Sequence, residues 1–286
     1  MVSYWFGDVD GGVCTPCPSR EPDFLSDRLD RIIQTRERHT PFSWEVAREC
    51  GFVSSRGEYV ALLRSLALLR VEKELRRVSQ LPEMELVHMV RMLDQIDEAI
   101  NLLTGRALEW HAAKDPSFSR KYRELQGRRA RELLAGSKNP VLVAVATETA
   151  HLAEVRTALS RDVAALAEKV MPNSSVLVGG VVAARLLSAA GGLPRLARLP
   201  AATIQVMGAR LALFSHLKSG TPPPKHGIIY QHRRVHAAGK GRRGKVSRAL
   251  AAKLAIAARI DFYRGTADPV FLESAERAID RAGGRK

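Results

Sequence analysis

Two long stretches of this chain repeat apolar residues at alternating steps of three and four, and that spacing leaves few folds open. The first runs through Leu86, Met89, Leu93, Ile96, Ile100, Leu103, Ala107 and Trp110. The second runs through Leu142, Val145, Thr149, Leu152, Arg156, Leu159, Val163, Leu166 and Val170. A 3.5-residue repeat keeps one seam of a helix turned toward a partner along its length. Two matched seams predict an antiparallel coiled-coil hairpin, with Asp115 to Asn139 as its tip and connector. At a rise of about 1.5 Å per residue the second helix is about 40 Å long, an arm. The competing reading is a pair of ordinary bundle helices on a core. Arg156 and Thr149 within the second seam predict imperfect pairing or a contact with another chain, because polar seam residues set register and oligomeric state.

Around the arm the chain reads as mainly α, in three parts: a small N-terminal module (1–80), the hairpin (81–172) and a helical C-terminal domain (173–286). Residues 1 to about 40 read as irregular, punctuated by Gly11-Gly12, Pro16, Pro18 and Pro22, with helical periodicity only from Phe24-Leu25 to Ile32-Ile33. Thr40-Pro41-Phe42-Ser43-Trp44 leads into a short helix. Ser54-Ser55-Arg56-Gly57-Glu58 reads as an N-terminal cap for the helix after it. Downstream, Pro172-Asn173-Ser174-Ser175 stops the arm and caps a helix that ends at Gly191-Gly192. Further helices are predicted over Ala201 to Lys218, Lys245 to Tyr263 and Pro269 to Arg281. No period-two alternation marks a strand.

Charge narrows the partners. The formal net charge is +15 over 286 residues, with a pI near 10.3. From Asn173 to Gly265, sixteen lysines and arginines face one acid, Asp261. Such a field attracts phosphate at long range, so a polyanion is the expected partner. No apolar run reaches the roughly 18 residues of a membrane span, and the start lacks the pattern of a signal peptide, so a cytoplasmic protein without a membrane partner is expected. Cys14, Cys17 and Cys50 suggest no disulfide framework in a chain this long. Cys14-Thr15-Pro16-Cys17 has the spacing of half a zinc knuckle, but no second pair follows, which favours a turn with two free thiols.

Gly239 to Gly244 matches GxGxxG, and Gly239 to Lys245 matches the first seven positions of a nucleotide-binding P-loop. Val246 stands where the magnesium-holding hydroxyl belongs, and no buried strand leads in. What survives is a glycine loop with cations at a helix start, suited to nucleic-acid phosphate. His226, on a loop stiffened by Pro222-Pro223-Pro224, is either an ordinary surface histidine or a ring that stacks on an unpaired base. His232 and His236 flank Arg233 and Arg234 with no carboxylate nearby, a poor metal site. No Ser/His/Asp order, paired carboxylates or HExxH occurs, so neither catalysis nor a cofactor or metal is expected.

Several motifs together resemble the Nop domain of box C/D small RNA–protein particles. They are Pro172-Asn173, Val178-Gly179, Ala184-Arg185-Leu186, Gly191-Gly192-Leu193, Leu199-Pro200, Thr203 to Ala209, Pro224-Lys225-His226-Gly227, Arg243-Gly244-Lys245, Arg248-Ala249-Leu250-Ala251 and Lys253 to Arg259. Upstream, Leu93-Asp94, Asp97, Ile100 to Leu103 and Glu109-Trp110 resemble the start of the family's coiled coil. The resemblance implies an archaeal-type noncatalytic scaffold for RNA-guided 2′-O-methylation of rRNA or tRNA. It would bind a box C/D guide RNA at its kink-turn jointly with the small ribosomal-type kink-turn protein, pair with itself through the coiled coil, and recruit fibrillarin. It places Arg198, Lys225, His226, Arg242, Arg243, Lys245, Arg248 and Lys253 against RNA, and Gly208, Ala209 and Arg210 against the kink-turn protein. Arg210-Leu211 replaces the family's usual Glu-Lys, and the region before the coiled coil is short, a reduced platform for fibrillarin. An RNA-binding adaptor uncoupled from methylation and a nucleotide-dependent enzyme are the alternatives.

Overall fold

The two heptad stretches close on each other. In the computed structural model, which describes residues 2–34, 43–114, 125 and 127–284, helix α4 (Pro82–Lys114) packs along α6 (Pro140–Val170), and the short α5 (Gly127–Ala135) packs on both. Ala107 clusters with Leu142 and Ala146 at one end. Leu86, Val90 and Leu93 join Val163 and Ala167 at the other, so the pair is antiparallel. Of the predicted tip and connector, Asp115 to Asn139, residues 115–124 and 126 lie outside the described residues and the rest includes α5; the lead-in from Thr40 to Phe42 also lies outside them.

The period of the seams is as read, but half of the register is not. On α4 the buried side chains include Leu86, Val90, Leu93, Ile100, Thr104 and Ala107, whereas Leu103 and Trp110 are 41% and 43% exposed. On α6, Ala146 and Ala167 are buried in place of Val145 and Leu166. A seam that admits Asp97, Thr104 and small alanines is invisible to a search for large apolar residues. The two polar residues of the predicted second seam are satisfied inside the chain: Arg156 Nε donates to Asp97 Oδ1 at 2.8 Å, and Thr149 Oγ1 donates to the Val145 carbonyl at 2.8 Å. Neither needs a second chain as its partner.

The chain forms two compact units, Met1–Leu81 and Pro82–Lys286. The first unit corrects two expectations. Its opening residues form an antiparallel meander, β1 (Val2–Tyr4), β2 (Gly7–Asp10) and β3 (Val13–Pro16), with Ser3 opposite Asp8 and Val9 opposite Cys14. Alternation fails to show because the strands have three or four residues and the bulkiest side chains sit in the β1–β2 turn. There Trp5 and Phe6 are buried and pack against Phe52 and Tyr59. Cys14 is not a free thiol: β3 lies beside the end of α2 (Trp44–Glu49), and Cys14 is disulfide-bonded to Cys50 across 36 residues, leaving Cys17 free. Helices α1 (Pro22–Gln34) and α3 (Arg56–Ser79) follow the predicted segments. Ser55 caps α3 by accepting from the Glu58 N–H, and Glu58 accepts in turn from the Ser54 N–H.

In the second unit α6 is followed by α7 (Pro172–Val178) and α8 (Gly180–Ala190), bent by 119° at Gly179. The Pro172 to Ser175 segment expected to cap α7 supplies no side-chain cap of its own. Asp261, on the long helix α13 (Arg243–Tyr263), accepts from the N–H groups of Asn173 and Ser174 at 2.8 and 2.9 Å. The sole acid of the cationic stretch is therefore 3% exposed and balanced by the positive end of a helix. Asn173 adds a bond to the Thr266 carbonyl and one from the Asp268 N–H, which starts α14 (Pro269–Gly283). Alanines 251, 255, 257 and 258 on α13 are buried and let α7, α9 (Leu193–Leu196) and α10 (Ala201–Val206) come close. The protein is mainly α-helical, and among the described residues no single helix is long and apolar enough to cross a membrane.

Candidate nucleic-acid interface

The helix expected from Ala201 to Lys218 is broken, and the break builds the site. α10 ends at Val206 and α11 (Arg210–Ser219) begins after Met207-Gly208-Ala209. Gly208 has a φ of +86°, and a side chain there would also meet Ile228. Into the break goes the Lys225-His226-Gly227 loop. The N–H groups of Gly227 and Ile228 donate to the carbonyls of Gln205 and Met207 at 2.9 and 2.7 Å, and Gln205 Nε2 donates to the Lys225 carbonyl at 2.9 Å. A Cβ at Gly227 would overlap the Met207 carbonyl, so the loop seats only with glycine at that position.

Seated in this way, the loop presents a stack. The His226 ring lies on Tyr230 with centroids 4.4 Å apart and planes at 20°. The Arg243 guanidinium sits 5.2 Å from the Tyr230 centroid, and His236 meets the same ring at 5.2 Å and 55°. Tyr230 belongs to a 3-10 turn (Ile228–Gln231) anchored by the fully buried Ile229, and His236 to the one-turn helix α12 (Arg233–His236). Burial first, then the cations Arg243 and Lys225, hold the His226 pKa below its ordinary value. His232 is shifted the same way by burial and by Arg234 and Arg233, and no described carboxylate or cysteine joins His232 and His236 in a group of three metal ligands.

The predicted contact residues fall into separate groups. Lys225, His226 and Arg243 meet in the stack, where the Lys225 stem lies 3.8 Å from the position of a Cβ on Gly244. Lys245 and Arg248 open an exposed stripe that continues along α13 through Ala252, Ile256, Arg259 and Tyr263, at steps of three and four. Lys253 is half-buried at its edge. Arg198 is exposed at the far end, in a turn tied to the stripe by Arg259 Nε donating to the Ala197 carbonyl at 3.2 Å. Arg242 turns the other way, toward the Gly283 carbonyl at 3.4 Å. There it lines a cavity of about 450 Å³ with Arg234, Lys240 and Asp280. Gly208 and Arg210 are exposed and Ala209 half-buried at the start of α11. That helix buries no residue and shows Leu211, Phe214 and Leu217 at 88%, 64% and 76% exposure.

Not every cation of the stretch faces outward. Arg185, its side chain 15% exposed, binds Asp94 at 2.6 Å, Asp97 at 3.4 Å and Gln231 at 2.5 Å, and so locks α8 and the Tyr230 turn to the arm. Arg234 pairs with Asp280 at 3.3 Å and Glu276 at 3.8 Å. By contrast, Lys225, Arg243, Lys245 and Arg248 pair with no carboxylate among the described residues. Sequence reasoning missed Tyr230, and it placed Arg259 on the basic helix without a role in the site. The signal for Arg259 is its place on the cationic helix α13; Tyr230 carries none, because its stacking on His226 is made by the 3-10 turn. The P-loop resemblance finds no support in the geometry: α12 precedes the glycine loop, and Val246 is buried in the core.

Residues 121–281 match the family profile described as "Nop: snoRNA binding domain, fibrillarin". A NOP5 family protein of Methanocaldococcus jannaschii is 30% identical over 273 residues, covering 83% of this chain and 66% of that one. Nucleolar protein 56 of Homo sapiens is 28% identical over 235 residues, covering 68% of this chain and 40% of that one. The chain therefore spans less than two thirds of the length of these relatives. A crystal structure described as a fibrillarin/Nop5p complex aligns over 98% of both chains at 32% identity with a TM-score of 0.51. With the glycine-seated loop, the cationic α13 and the profile match over more than half of its length, the chain belongs to the Nop family.

Proposed function

We propose that this protein is a noncatalytic scaffold of a box C/D-type RNA–protein particle. It grips a kink-turn guide RNA together with the small kink-turn-binding protein and carries fibrillarin for 2′-O-methylation. The observation that carries the reading is the juxtaposition of an ordered stacking ring with cations that have no carboxylate partners among the described residues. The glycine-seated loop offers His226 to an unpaired base, and the next turns of α13 offer Lys245 and Arg248 to phosphate. Beside it, Gly208-Ala209-Arg210 opens α11, whose exposed leucines and phenylalanine supply the apolar surface a protein partner covers. The N-terminal unit is the platform for fibrillarin, a role supported by a solved relative described as a complex with that protein. The arm pairs with a second copy through surface that includes Met92, Leu102 and Trp110, which are 57%, 63% and 43% exposed.

The test is a gel shift on a box C/D RNA with and without the small kink-turn protein, followed by addition of fibrillarin. The reading predicts a supershift only when the kink-turn protein is present, and fibrillarin joining that complex. Equal affinity for the RNA without it, or for any duplex, would reduce the protein to a general basic RNA binder.

A further inference from the structure

We propose that Tyr230 is a positioning residue of the RNA-binding face: it holds the His226 ring flat from behind so that the opposite face is a fixed platform for an unpaired base. This rests on the RNA-binding reading above and adds to it the part that makes the histidine competent. A histidine in a Lys-His-Gly loop has two free side-chain torsions, and ordering them on binding would subtract from the affinity gained by stacking. Here the ordering is done in advance. The rings of His226 and Tyr230 are nearly parallel at 4.4 Å, and Tyr230 is itself wedged between the Arg243 guanidinium and the His236 ring, each 5.2 Å away. The wedge is anchored to the backbone: the Tyr230 N–H donates to the Gly227 carbonyl at 3.0 Å, and Arg243 Nη2 donates to the His236 carbonyl at 3.4 Å. Among the described residues no second ring and no guanidinium stacks on His226. The column is closed on the protein side and open on the other. Arg243 thereby acquires a role besides phosphate contact, as the support of the tyrosine.

The experiment places 2-aminopurine at the unpaired nucleotide of a kink-turn RNA and follows its quenching in the complex with the kink-turn protein, alongside affinity. Five chains are compared: wild type, Tyr230→Phe, Tyr230→Leu, His226→Ala and the double variant Tyr230→Leu/His226→Ala. Tyr230→Phe keeps the ring and retains wild-type quenching and affinity. Tyr230→Leu loses quenching and roughly tenfold in affinity, and the double variant with His226→Ala is no weaker than His226→Ala alone, because both remove one platform. Should Tyr230→Leu fail to melt cooperatively, Tyr230→Met fills the space without a ring and carries the same expectation. Full quenching in the leucine or methionine variant, or losses that add to those of His226→Ala, would overturn the positioning role. Unchanged quenching in His226→Ala would instead overturn the RNA reading on which it rests.

Discussion

The base of the arm and the face around the Lys225-His226-Gly227 loop are built from the same residue types and do opposite work. At the base, Arg185 and Arg156 meet Asp94 and Asp97, and Asp261 meets the N–H groups of Asn173 and Ser174. At the loop face, Lys225, Arg243, Lys245 and Arg248 meet no described carboxylate. A partly desolvated charge that is matched fixes geometry, and its removal leaves the partner uncompensated. An unmatched charge at the surface contributes little to folding and much to attraction of a polyanion. Net charge alone does not separate the two; the partners do.

Breaking the matched side has the largest expected effect. Asp261→Ala strips the start of α7 of its acceptor and costs about 3–4 kcal/mol of stability, by the scale for orphaned buried polar groups; urea unfolding measures it, and a loss below about 1 kcal/mol would show that α7 caps itself. Arg185→Met leaves Asp94 and Asp97 without this cation and costs about 2–3 kcal/mol. The figure is below that of a fully buried pair because both carboxylates reach solvent. Thermal melting of the variant, with RNA affinity measured well below its midpoint, separates that stability loss from binding.

On the unmatched side the effects move from stability to binding. His226→Ala weakens the ternary RNA complex by about 1–2 kcal/mol, within the usual scale for one stacked base, while the melting temperature stays nearly constant; unchanged affinity in a titration would remove the ring from the interface. The smallest effect is a titration. Burial and the neighbouring Arg243 and Lys225 depress the His226 pKa, so NMR of the free protein should find it below the usual histidine value of about 6.5, and Arg243→Ala should raise it. The sign for stability follows. The neutral ring contributes fully above the unfolded pKa, and that contribution is lost as pH falls through the folded one. A normal pKa would mean that the ring is solvated and not packed on Tyr230.

Much of this molecule is legible in its sequence, and the misses share a cause. The seams showed their period because Leu86, Leu93, Ile100 and Ala107 are apolar. The alternate positions were misplaced because Asp97 takes a seam site through its partner Arg156 and the small Thr104 is buried in another. The helices from Arg243 and Pro269 were readable from composition and caps. The break at Gly208 was not, because a positive φ is demanded by Ile228 and the Gly227 loop, twenty residues away in sequence. The cap on α7 lay 88 residues distant in Asp261, and the Cys14–Cys50 bond spans 36 residues. Local periodicity reports elements; it is silent about which distant side chain completes them. Within the site, His226 and the cations of α13 could be named in advance. Tyr230 could not, because only the folded turn stacks it on the histidine.

The most direct measurement is the salt dependence of RNA binding in the presence of the kink-turn protein, for wild type, Lys245→Ala/Arg248→Ala and Arg185→Met. If unmatched charges recognise and matched charges build, the double variant lowers the slope of log affinity against log salt by about 1.4–1.8, the release of two counterions. Arg185→Met then leaves the slope unchanged. An unaltered slope in the double variant, or a reduced one in Arg185→Met, would contradict that division.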